Sequence, residues 1–84
     1  MEIETVKEKV KQFILDEFLP GENPEALNDS TKLITDGILD SIASLKLVSF
    51  LEEQFSVKVE AHEVNADHLN RLPQIADLVL SKLD

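Results

Sequence analysis

The sequence predicts an all-α fold: a four-helix bundle of three main helices and one short one, with a long first loop. Apolar residues recur at helical spacing in three separated stretches, around residues 2–19, 41–55 and 73–83. Turn residues gather between those stretches, at Pro20-Gly21, Asn23-Pro24 and Asp36-Gly37. Only Ser56 to Glu60 alternates as a strand would, and it has no second strand to pair with.

The first segment, Glu2 to Leu19, sets Ile3, Val6, Val10, Phe13 and Ile14 on one helical face. Glu2 and Glu4 lie where a helix dipole favours negative charge, and Pro20 with Gly21 stops the helix. Residues 20–40 then form a connection long enough to suggest a function of its own. Leu27, Leu33, Ile34, Ile38 and Leu39 punctuate it, so it is expected to lie on the core, tacked down at several points.

A second helix is expected from Asp40-Ser41 to about Phe55, with Asp or Ser capping its first turn. Ala43, Leu47, Val48, Phe50, Leu51 and Phe55 fall in one broad arc at 100° per residue. Ile42, Lys46, Ser49 and Glu53 form the opposite, outward stripe. Val57 and Val59 are expected in an extended link. Asn65 to Asn70 forms a short helical turn with Val64 and Leu69 pointing inward, and Pro73 suits the first position of a last helix ending near Leu83. That helix carries Ile75, Ala76, Leu78, Val79 and Leu83 as its apolar residues.

Composition narrows the function. With 84 residues, the chain makes one domain, 1–84, with little volume for a deep catalytic cavity. Apolar residues make up 43% of it and its four aromatics are all Phe, so the core is aliphatic. Eight basic against seventeen acidic side chains leave a net charge of −9, which repels nucleic acid and anionic lipid; it suits docking on basic patches of partners or simply keeps a small protein in solution, and charge alone does not choose between the two. Cysteine is absent, which excludes disulfides, thiolate metal sites and a cysteine nucleophile. Any thioester chemistry would need the sulfur of a cofactor. No signal peptide and no membrane-spanning apolar run is visible, so the expected setting is the cytoplasm and the expected state a monomer.

The informative stretch is Asp36-Gly37-Ile38-Leu39-Asp40-Ser41-Ile42 and the helix after it, ending Phe50-Leu51-Glu52-Glu53-Gln54-Phe55. Here the sequence resembles the acyl and peptidyl carrier protein family. That resemblance spans about Ile3 to Leu83, and its specificity sits between Asp36 and Phe55. It implies a four-helix bundle whose Asp-Ser pair opens the second helix, with 4′-phosphopantetheine on Ser41. It implies further that a separate phosphopantetheinyl transferase supplies the base and metal ion for attachment, and that Asp40 orients the site or contacts that transferase. The loaded carrier would serve acyl- or aminoacyl-loading enzymes and downstream biosynthetic enzymes, in fatty-acid, polyketide or a specialised pathway.

The resemblance also implies that partners read Ile42, Lys46, Ser49 and Glu53, with Glu52 and Glu53 as acidic docking points. Ile42 stands where the family usually has Leu or Met. Ala43 and Lys46 stand where housekeeping fatty-acid carriers are commonly acidic, which sets this chain apart at the surface partners read. The DGILDS spelling looks more like specialised, aminoacyl or D-alanyl carriers. Without the resemblance, Ser41 would be read simply as a helix cap.

Competing readings are weaker. A serine hydrolase needs a base within reach of Ser41, and His62 and His68 are remote in sequence; no G-x-S-x-G elbow exists. No catalytic residue is therefore assigned, and the expected protein is not an enzyme. Asp29, Thr31, Asp36 and Asp40 lack the spacing of a calcium loop, and two histidines without cysteine partners do not make a zinc site, so no metal ligands are assigned. The runner-up is a helical interaction module of the same fold that takes no modification.

Overall fold

In a computed structural model describing residues 2–83, Val6, Val10, Ile14 and Leu15 form the buried stripe of α1, Ile3–Phe18. Ile3, expected on that face, remains 37% exposed in the first turn, whereas Leu15 joins the core. Gly21, at φ 86, supplies the left-handed turn that follows the helix.

The connection between α1 and α2 holds one 3-10 turn, Pro24–Ala26, entered through Asn23, whose Oδ1 accepts the Glu25 N–H at 2.9 Å. Leu27, Leu33 and Leu39 are buried and Ile34 and Ile38 half-buried, as the punctuation implied. Polar bonds fix the loop between these points. The side-chain oxygen of the buried Asn70 accepts the N–H groups of Ile34 and Thr35 at 2.9 and 3.1 Å. Its main-chain carbonyl accepts that of Leu33 at 2.6 Å. Lys7 reaches Asp29 at 2.7 Å and Glu4 at 3.1 Å, carboxylates that hold its ammonium above the usual lysine range, Asp29 contributing most.

α2 spans Ser41–Phe55 and buries Ala43, Ser44, Leu47, Leu51 and Phe55, while Val48 and Phe50 are half-buried at the edge of the arc. It ends on Ser56 in the left-handed conformation, φ 55 and ψ 44, where the chain turns away. Residues 57–60 are an extended link, and no strand occurs among the described residues. Val59 is buried and its N–H donates to Glu52 Oε2 at 3.0 Å. A 3-10 turn at Ala61–Glu63, which the sequence did not suggest, is held by Glu63: its carboxylate accepts the Glu60 N–H and pairs with Lys82, both at 2.8 Å.

The short helix is α3, Ala66–Leu69, entered through Asn65, with Leu69 buried and Val64 half-buried. α4 runs Leu72–Lys82 and buries Leu72, Ile75, Ala76, Leu78 and Val79. Pro73 occupies its second position rather than its first, because buried Leu72 already opens the helix; in the first turn a missing N–H goes unmissed either way. α4 packs along α1 and against α3, and α2 packs on α1. The domain is thus three main helices and a short one around an aliphatic core, with a long loop between α1 and α2. Each fully buried Leu, Ile or Val contributes roughly 1.5–3 kcal/mol through removal from water.

Candidate functional site

The start of α2 is built by Asp40. Its φ of −81 and ψ of −171 keep it outside the helix, where Oδ1 accepts the Ala43 N–H at 2.7 Å and the carbonyl accepts that of Ser44 at 2.8 Å. Of the two residues that sequence allowed as the cap, Asp40 does the work. Ser41 is therefore the first helical residue, exposed, and its hydroxyl makes no hydrogen bond among the described residues. The N–H groups of Ser41 and Ile42 are likewise without acceptors, as the first amides of a helix are unless something caps them. A hydroxyl presented to water beside two free amides is a favourable place for an anionic substituent.

The approach to Ser41 comes from the loop. Leu39, nearly wholly buried, donates its N–H to the Leu33 carbonyl at 2.8 Å, closing a seven-residue excursion that turns at Gly37, φ 84. Asn70 holds the other foot of this excursion. Position and direction of Asp40-Ser41 thus follow from a leucine plugged into the core and an asparagine at the end of α3.

No protein-family model and no curated protein matches this chain.

Ile42, Lys46, Ser49 and Glu53 lie exposed along α2, the outward stripe the sequence indicated. Ile42 keeps 68% of its surface, and Lys46 forms no ion pair among the described residues. Ala43 is buried and belongs to the core, so Lys46 alone of the two unusual positions faces outward. Glu52 is a correction: it is half-buried and spends a carboxylate oxygen on the Val59 N–H, so of the two glutamates Glu53 is the exposed one.

Two open grooves flank Ser41. The larger, about 530 Å³, is lined by Ile34, Leu39, Asp40, Ser41, Ser44, Leu45, Val64 and Asn65. The smaller, about 340 Å³, lies on the α1 side and includes Glu17, Phe18, Ile42 and Lys46. Leu45, 61% exposed, and Ser44 were not singled out from sequence. The signal was available: residues three and four beyond Ser41 share its side of a helix.

His62 and His68 line neither groove; His68 Nδ1 lies 3.0 Å from Asn65 Oδ1, beside the cap of α3. Among the described residues no cluster of His, Asp and Glu is arranged to hold a metal ion, and Asp29 is engaged with Lys7. No helix among them is long and apolar enough to cross a membrane.

Proposed function

We propose that this protein is a carrier: Ser41 bears 4′-phosphopantetheine, attached by a separate transferase, and the loaded protein passes acyl-type groups between enzymes in the cytoplasm. The observation that carries this reading is the division of labour at the start of α2. Asp40 caps the helix and leaves the Ser41 hydroxyl exposed and without an internal partner. A serine used only as a cap would have its oxygen on a first-turn amide.

Attachment balances simply. A base on the transferase takes the Ser41 proton, and Oγ bonds to the pantetheine-side phosphorus of coenzyme A. The phosphorus–oxygen bond to the nucleotide half breaks, and that half leaves with the electron pair. The new phosphodiester lies near the free N–H groups of Ser41 and Ile42, at the positive end of α2. When bound, the group would supply a thiol for thioester formation, which a chain without cysteine cannot supply itself. The carrier performs no chemistry of its own in this scheme. Its contribution is to present the tether and, through Ile42, Lys46, Ser49 and Glu53, a face for loading and downstream enzymes.

The test is direct. Incubation of the unmodified protein with coenzyme A and a broad-specificity pantetheinyl transferase is expected to add one phosphopantetheine, read by intact mass, and Ser41→Ala to add none. An unmodified wild type, under conditions that fully modify an established carrier, would leave the helical interaction module as the better reading.

A further inference from the structure

The four phenylalanines, in a chain without Trp or Tyr, form one continuous cluster along the seam of α1 and α2. Phe13 and Phe50 stack across the seam, with ring centres 4.2 Å apart and 14° between their planes. Phe18 stands nearly perpendicular to Phe13 at 5.7 Å, and Phe55 to Phe50 at 6.2 Å. Phe55 is buried, but the other three rings are only half-buried. Two further open grooves, of about 280 and about 360 Å³, adjoin here and share Phe13, Phe50 and Glu17. Their rims are charged: Asp16 and Glu17 on α1 and Glu53 on α2, against Lys9 and Lys46, all five exposed. None of the five forms an ion pair among the described residues. Asp16 accepts from Gln12 at 2.9 Å, whereas Glu17 and Glu53 line the groove of the stacked pair from opposite helices, with no partner of their own. Three carboxylates against two ammonium groups leave one negative charge uncompensated over an aromatic surface.

We propose that this seam is a docking face for an amphipathic helix of a partner protein, whose apolar side chains cover Phe13 and Phe50 and whose arginine sits between Glu17 and Glu53. A seam between two packed helices offers a channel into which the side-chain ridge of a third helix fits. Arginine suits the charge and the surface together. Its stem covers apolar area, and its weakly hydrated guanidinium pairs with a carboxylate through two N–H groups. A second copy of this chain suits it less, because each copy carries a net charge of −9 and repels the other. Ser41 and Phe50 lie roughly 13 Å apart along the axis of α2, at 1.5 Å per residue. A helix seated on Phe13 and Phe50 therefore need not cover the Ser41 hydroxyl. The inference goes beyond the carrier reading, since the face requires no arm.

The probe is a capped, alanine-based helical peptide of about four turns and zero net charge, with leucines and one arginine on one face. One comparison peptide carries glutamine in place of the arginine, and another scrambles the same composition. Titrated into the isotope-labelled protein, the probe is expected to shift the Phe13, Glu17, Ser49, Phe50 and Glu53 amides most. It should bind several-fold more tightly than either comparison peptide. The double variant Glu17→Gln, Glu53→Gln should weaken it several-fold while its melting temperature stays level, because neither carboxylate has an internal partner to lose. No binding, equal binding of the scrambled or glutamine peptide, full affinity in the double variant, or shifts centred on Val64 and Asn65 would each overturn the inference. Shifts at the same seam that grow with protein concentration alone would overturn it in favour of a second copy as the occupant. The titration uses the unmodified protein, so its failure leaves the carrier reading intact, and a chain that takes up no arm leaves the docking face intact.

Discussion

Along the α1–α4 seam, Val6, Val10, Ile14, Ile75 and Val79 are wholly buried, whereas at the start of α2 Ile42 keeps 68% of its surface and Leu45 61%. Both regions are helical and rich in aliphatic residues; only one uses them to hold the fold. Exposed aliphatics beside a free serine hydroxyl contribute little to stability, since their surface stays in water, and they are available for contact with something else. The clearest form of this contrast lies within one helix. Leu45 and Leu47 are two residues apart, and Leu47 is fully buried. Leu47→Ala is expected to cost roughly 2–5 kcal/mol, a large part of the stability of a domain this size, by removing buried surface and leaving a cavity. Leu45→Ala should stay within about 0.5 kcal/mol. Urea unfolding of both variants measures the difference; equal losses would mean that Leu45 is part of the core and not of the site.

That contrast was half legible in the sequence. Helical periodicity separated Leu47 and Leu51 from Ile42 and Lys46, because a 100° step assigns each residue to a face without knowledge of its neighbours. It passed over Ser44, a polar residue inside the buried arc, and Leu45, which lies between the two faces, where burial depends on what the rest of the chain places alongside. Ile34 and Val64 stand alongside across an open groove, and Leu45 keeps 61% of its surface. The capping question was of the same kind: Asp40 and Ser41 were both acceptable caps, and only backbone geometry tells which oxygen meets the Ala43 N–H. Glu52 was read as an acidic docking point because nothing local marks Val59, seven residues on, as needing an acceptor. Asn70 left no trace either, since its partners are more than thirty positions away.

Asn70 sharpens the comparison from the other side, as a polar residue that serves the fold rather than the site. Its side-chain oxygen is the acceptor for two N–H groups of the loop that delivers Asp40-Ser41. Asn70→Ala strands both, and the expected loss is about 1–3 kcal/mol. Amide exchange should locate the damage, with Ile34 and Thr35 losing protection. The Leu33 amide, which donates to the main-chain carbonyl of residue 70, should hold better. Arm attachment should slow as the approach to Ser41 loosens. A destabilised variant with unchanged attachment would separate the loop anchor from the site.

The smallest expected effect concerns the wall of the larger groove. Val64 and Asn65 follow Glu63, which Lys82 ties to the end of α4 at 2.8 Å. The Lys82 ammonium, and after it the Glu60 N–H, hold the Glu63 carboxyl below the ordinary glutamate range. Folding therefore favours the ionised form: the contribution is fully present above the ordinary glutamate value and is lost as pH falls through the lower value of the folded state. Between about pH 6 and about pH 3, Lys82→Gln should lose less stability than the wild type, measured as the difference in urea midpoints so that the other carboxylates cancel. Acid should also raise amide exchange at Val64 and Asn65 before it reaches Leu47 and Val79, because the Glu63–Lys82 pair fastens the groove wall and not the seam. If all four amides lose protection together, the groove wall and the core open as one unit, and the boundary between site and scaffold does not lie there.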